Sequence, residues 1–143
     1  VEETVVIPER SQVRAMLACA GETDVLWLVA RRNVGPGFHE TVAVERVAPE
    51  HPILALRDFK KRYPDAECST FRPQPWLRPF LATMAFAGLR SGEVRGLGWG
   101  RCLPEAIKVR DAVDHFNALG PVKTAAGVRD VPIGPQLARI VAE

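Results

Sequence analysis

Two cations stand where they could handle a phosphodiester. Arg90 lies in Ala87-Gly88-Leu89-Arg90-Ser91-Gly92-Glu93, and Lys123 lies in Gly120-Pro121-Val122-Lys123-Thr124. The planar fork of arginine pairs with two phosphate oxygens at once, so Arg90 suits an oxygen on which charge builds during displacement. Gly88 interrupts one helical run and Ser91 can cap the next. Arg90 is thereby expected beside the unpaired N–H groups and positive end of the second helix. An ammonium whose pKa is lowered by neighbouring arginines can act as a general acid, and Lys123 on a hairpin arm could give a proton to a leaving 5′ oxygen. Joint action on one phosphate asks that both side chains reach the same concave surface, within roughly 10–15 Å of each other. Singly the signals are weak. Gly-Leu-Arg also describes a surface arginine after a helix break, and Lys123 also reads as a solvated hairpin lysine.

Glu93 either holds Arg90 by a salt bridge or satisfies the dipole of the helix it opens. Arg95 and Arg129 are candidates for DNA phosphate contacts, which act without sequence information. His115, in Asp114-His115-Phe116-Asn117, reads as a turn or strand-end residue, and His39 and His51 have no partner at metal-ligand spacing. Cys19, Cys68 and Cys102 are an odd number at wide spacing with no CxxC pair, so neither a zinc site nor a disulfide scaffold is expected, and a reducing cytosol fits. Tyr63 is the only tyrosine, and its ring is expected to pack at the end of a helix.

The elements that must position these residues follow from periodicity. Val13, Met16, Leu17 and Ala20 share a helical face, with Pro8 in the opening turn and an end near Gly21. Val25 to Ala30 and Thr41 to Val47 read as a hairpin around Gly35-Pro36-Gly37. A helix from about Pro52 to Tyr63 stops at Pro64, and 64–75 reads as a loop. Trp76 to Phe86 is apolar on most faces and therefore belongs in a core, with an interface helix as the alternative. The short helix after Ser91 stops at Gly98. A strand candidate at about 106–111 and the arms 119–124 and 128–133, turned by Ala125-Ala126-Gly127, make a small three-stranded antiparallel sheet. A last helix starts after Gly134-Pro135. The fold class is α+β, mainly helical.

The net charge of +2 is too small to identify a nucleic-acid binder. Fifteen arginines against four lysines suit bidentate phosphate contacts, although a GC-rich genome also raises arginine. Residues 1–75 have a net charge of −1 and 76–143 of +3, so a phosphate-facing surface is expected in the second part. No apolar run approaches the ~18 residues of a membrane span, and no signal sequence opens the chain.

The order Gly-Leu-Arg-x-x-Glu, Leu97-x-Trp99, short strands with Lys123, then Arg129-x-Val131-Pro132-Ile133 and a helix resembles the N-terminal half of the catalytic domain of tyrosine recombinases, the phage integrase family. The likeness runs from about Trp76 to Ile140, with a weaker match at Ile7 to Ala20. It implies that Arg90 is the first arginine clamping the scissile phosphate, Glu93 its acidic support, and Lys123 the lysine acting on the leaving group. The family cuts DNA with a tyrosine and rejoins it through a 3′-phosphotyrosyl intermediate, without metal or ATP. The resemblance implies a truncated catalytic domain spanning 1–143, with 21–75 an unplaced insertion. The aspartate that the family usually places two residues after Trp99 is absent. The family's downstream His-x-x-Arg motif and tyrosine are also absent, and Tyr63 lies upstream of Arg90.

The implied partners are duplex DNA and either the missing half of the domain or other recombinase copies. The implied location is the nucleoid of the cytoplasm. The chain is thus expected to be a piece of a mobile-element recombinase, inactive by itself. A non-catalytic DNA-binding remnant or regulator is the alternative, and a small α+β domain unrelated to DNA is the third possibility.

Overall fold

Glu9 opens the first helix, α1 (Arg10–Gly21), in a computed structural model that describes residues 8–48 and 50–143. The Glu9 carbonyl accepts from the Val13 N–H at 3.0 Å, and its own N–H donates to Gln12 Oε1 at 2.8 Å. A side chain at the third helical position thus reaches back to the cap. Pro8 therefore precedes the helix instead of lying in its first turn. Leu17 and Ala20 are buried and Val13 half-buried, as the apolar face predicts, whereas Met16 is exposed. Ile7, where the weaker family likeness begins, lies outside the described residues. The chain forms two compact units whose division falls inside α1: Ala18–Pro75 is one, and 8–17 with Trp76–Glu143 make up the described part of the other. Among the described residues no helix is long and apolar enough to cross a membrane.

In the Ala18–Pro75 unit the expected hairpin forms, and longer than expected: β1 (Leu26–Gly35) pairs antiparallel with β2 (Phe38–Val47). Pro36 and Gly37 make the turn, and Gly37 takes φ +77°, which glycine adopts without a Cβ penalty. Next comes α2 (Pro52–Arg62), with proline in its first turn and Lys60, Lys61 and Arg62 at its negative end. Phe59 on this helix packs against Leu26, Leu28 and Ala30, the inward face of β1. Arg62 Nη2 also reaches Glu45 Oε2 at 2.5 Å, tying the helix to β2.

The expected loop at 64–75 contains a strand, β3 (Glu67–Phe71), on the free edge of β1, giving the order β2-β1-β3. Its residues, Glu-Cys-Ser-Thr-Phe, have no apolar alternation, and it is the ladder offered by β1 that makes them a strand. Among the described residues the three-stranded sheet therefore lies in the segment expected to be an unplaced insertion.

In the other unit α3 (Leu77–Ala87) ends at Gly88, which takes φ +64° and returns its N–H to the Met84 carbonyl. This helix is not enclosed on most faces. Ala82 and Thr83 are buried, but Trp76 at its N-cap is 57% exposed and Phe86 45%. Ala82 meets the core, and the adjoining face of Trp76, Pro79, Phe80 and Thr83 lines an apolar groove with Leu97 and Trp99. The one-turn helix α4 (Ser91–Arg95) leaves at Gly96, two residues before the expected stop at Gly98. A 3-10 turn, Trp99–Arg101, leads to β4 (Ala106–Val109).

After Arg110 come β5 (Asp111–Val113) and β6 (Leu119–Pro121), then a 3-10 turn at Ala125–Gly127, β7 (Arg129–Pro132) and α5 (Pro135–Ala142). The expected pairing of 119–124 with 128–133 is corrected here. β7 pairs with β4, and β6 pairs with β5, in two antiparallel two-stranded ladders. Asp114 makes the β5–β6 hairpin local by accepting from the N–H groups of Phe116 and Ala118 at 2.8 and 2.9 Å, with Asn117 at φ +64°. That turn captures β6, which leaves β7 for the edge of β4. His115 sits in this turn, as expected. Leu17, Ala82, Leu89, Ile107, Val109, Leu137 and Ile140 form the core of the unit.

Candidate phosphate-binding site

Arg90 is the N-cap of α4, with extended backbone at φ −72° and ψ 152°; Ser91 is the first helical residue and not the cap. Leu89, its predecessor, is buried in the core and anchors the approach. The Arg90 N–H donates to Glu93 Oε2 at 2.9 Å, so the glutamate at the third helical position holds the cap by its backbone. The helix is only five residues long, and so few aligned peptides add little dipole. The anion-binding capacity here rests on the guanidinium and not on the helix end. The Arg90 side chain is exposed, and among the described residues it has no hydrogen bond or ion pair.

Glu93 is 4% exposed, and a carboxylate buried to that degree needs its lone pairs filled. Arg129, at the start of β7, fills them: Nη1 donates to Oε1 at 2.8 Å and Nη2 to Oε2 at 3.1 Å. The Arg129 hydrogen bonds hold the Glu93 carboxyl below its ordinary range. Burial pushes the other way, and the Arg90 N–H and the two arginine charges add to the lowering. The same hydrogen bonds push Arg129 up. Glu93 therefore supports Arg90 through the main chain, and the guanidinium it binds belongs to Arg129. Arg129, expected to face DNA, is committed to this pair.

Lys123 is exposed in the loop between β6 and the 3-10 turn, outside any strand, and makes no ion pair among the described residues. Its neighbour Val122 packs against the same apolar core as Leu89, so both cation-bearing segments are tethered to one cluster. Gly127 makes the tether possible: a Cβ there would lie 2.9 Å from the Val122 side chain. Arg129 Nη1 also donates to the Gly127 carbonyl at 3.0 Å, pinning the turn that follows Lys123.

Arg95, in the last turn of α4, is exposed and donates to Asn117 Oδ1 in the β5–β6 turn. A neutral partner leaves its charge available. Arg101 and Arg110 are instead paired with Asp111 and Asp130. Two glycines bring α4 onto β5. A Cβ on Gly92 would lie 2.7 Å from the Val113 carbonyl oxygen, and one on Gly96 would lie 2.9 Å from the Ala112 Cα. Tyr63, in the other unit, caps the end of α2 with its ring 5.0 Å from that of Phe59, the packing role expected of it.

The Glu93–Arg129 pair was not anticipated, though a signal existed. Alternation along β7 puts Arg129 on the same side as Val131, which packs on the core, so Arg129 is on the inward row. No protein-family model, curated protein or solved structure matches the chain. The functional reading therefore rests on the residues themselves.

Proposed function

We propose that this chain carries the arginine–lysine part of the DNA-cleaving site of a tyrosine-type site-specific recombinase, and that it binds the scissile phosphate without supplying the nucleophile. In this reading Arg90 pairs with the non-bridging oxygens, where charge rises in the transition state. Lys123 gives a proton to the leaving 5′ oxygen. The tyrosine comes from residues outside this sequence or from another recombinase copy. Arg95 adds a positioning contact to the DNA backbone.

One observation carries the reading. Glu93 fixes the Arg90 backbone while Arg129 neutralises Glu93, so the Arg90 side chain starts from a defined point and its charge is uncompensated among the described residues. A non-catalytic DNA-binding remnant or regulator is the second reading. It is favoured by Tyr63, the only tyrosine, being packed on Phe59 in the unit that does not contain Arg90.

The test is binding of a short labelled DNA duplex across a salt series. Arg90→Ala and Lys123→Ala should each weaken binding and each lower the slope of log affinity against log salt by about 0.9. An unchanged affinity and slope in the double variant would remove both DNA readings.

A further inference from the structure

We propose that Arg129 is a positioning residue: by occupying the Glu93 carboxylate, it keeps that carboxylate off the Arg90 guanidinium and leaves Arg90 free for a phosphate. The inference rests on the proposed role of Arg90. It assigns Arg129 a task other than contact with DNA.

Glu93 stands three residues after Arg90, at the third helical position where a side chain folds back on the cap, and the Arg90 charge is close enough to help hold the Glu93 carboxyl down. Its Oε2 is already 2.9 Å from the Arg90 N–H. Nothing in the covalent geometry prevents the Arg90 side chain from folding back on it. What opposes this is occupancy. Both carboxylate oxygens already accept from the Arg129 fork, and the third donor is the Arg90 backbone. Two parallel N–H···O bonds form the stronger arginine–carboxylate geometry, which a single folded-back contact does not match. Arg129 is also held for the task. Its Nη1 shares the Gly127 carbonyl, and its own carbonyl accepts from Arg110 Nη1 at 2.9 Å. Its side chain is 35% exposed while that of Glu93 is 5% exposed, so the buried charge is covered and the covering charge is the outer one.

Removing Arg129 leaves a buried carboxylate without its counter-ion, and the other cation that acts on it is Arg90, at the cap of the same helix. Capture of Arg90 would abolish its phosphate contact although Arg90 itself is unchanged. The predicted signature is therefore a loss that a second mutation relieves.

The experiment compares wild type, Arg129→Gln, Glu93→Gln/Arg129→Gln and Arg129→Lys by duplex DNA titration across a salt series. The same set is compared without DNA by the NMR signal of the Arg90 Nε–H, assigned by its loss in Arg90→Lys. In Arg129→Gln, affinity should fall about tenfold, the scale expected of a group that acts through its neighbour. The Arg90 Nε–H should become protected from water exchange. The double variant has no carboxylate to capture Arg90, so affinity and salt slope should return to near wild type. Arg129→Lys, the variant least disruptive to folding, should keep most of the affinity and leave Arg90 unprotected.

If the double variant stays as weak as Arg129→Gln, with its slope lowered by about 0.9, Arg129 contacts phosphate directly and the proposal is overturned. An unprotected Arg90 signal in Arg129→Gln overturns it as well. If Arg90 becomes protected while wild type and Arg90→Ala bind DNA equally, the positioning role stands and the recombinase reading fails.

Discussion

The Glu93 carboxylate and the Arg129 guanidinium lie 36 residues apart in sequence and meet at two points, 2.8 and 3.1 Å. The pair joins the first turn of α4 to the first residue of β7. It connects the helix that begins at Arg90 to the strand that follows the Lys123 loop. The carboxylate is buried, so its pairing has consequences for stability as well as for charge.

Those consequences include a pH dependence with a definite sign. The Glu93 pKa is lowered in the folded state from an ordinary 4.5. A lowered carboxyl contributes stability that is fully present above its unfolded value and is lost as pH falls through the folded one. Between about pH 5 and 3, wild type should therefore lose more stability than Glu93→Gln, as measured by urea denaturation at stepped pH. Parallel pH profiles for the two proteins would contradict this. At neutral pH, Arg129→Ala should destabilise by about 1–3 kcal/mol, less than for a fully buried pair because solvent still reaches the arginine.

Gly92→Ala should destabilise by about 1–3 kcal/mol, since the added methyl group would meet the backbone carbonyl of Val113, which cannot swing aside. Gly98→Ala, where no atom lies within 4 Å of the new Cβ, should change stability by no more than about 0.5 kcal/mol. Thermal denaturation of the two variants distinguishes a packing requirement at α4 from a general intolerance of alanine there.

DNA affinity should fall with salt at a slope of about −2.7, corresponding to three phosphate contacts from Arg90, Arg95 and Lys123. Four contacts, with Arg129 included, would give about −3.6. A titration in buffers of increasing salt separates the two values, and the steeper one would return Arg129 to the DNA surface.

A nicked suicide substrate incubated with this chain should yield no covalent protein–DNA adduct. In-line attack needs a tyrosine at the phosphate, and Tyr63 is engaged with Phe59 at the end of α2. Tyr63→Phe should leave DNA binding unchanged. An adduct that disappears in Tyr63→Phe would place the nucleophile within these residues.

Cys102 should be alkylated more slowly than Cys19 near neutral pH. Burial pushes the Cys102 thiol up, which depletes the reactive thiolate, whereas Cys19 is exposed on α1. Timed labelling followed by peptide mass mapping gives the two rates.

The sequence alone determined what depends on near neighbours in the chain. The helices from Pro52 and after Pro135 show in their proline starts and apolar spacing, and the first hairpin shows in its Gly-Pro-Gly turn between β-prone runs. Arg90 at a helix junction was legible for the same reason, because Gly88 breaks one helix and the next, with Glu93 in its first turn, begins within a few residues. Tertiary structure decided the rest. Glu67 to Phe71 is a strand only because β1 has a free edge. β7 pairs with β4 and not β6 because the Asp114 turn has already closed β5 on β6. The partner of Glu93 was decided in the same way. Arg90 is three residues away and Arg129 is 36, and proximity in sequence favours the first. Burial reverses the choice, since a carboxylate removed from water is best satisfied by a two-pronged donor on a fixed strand, and only the packing of β7 against the core brings one there.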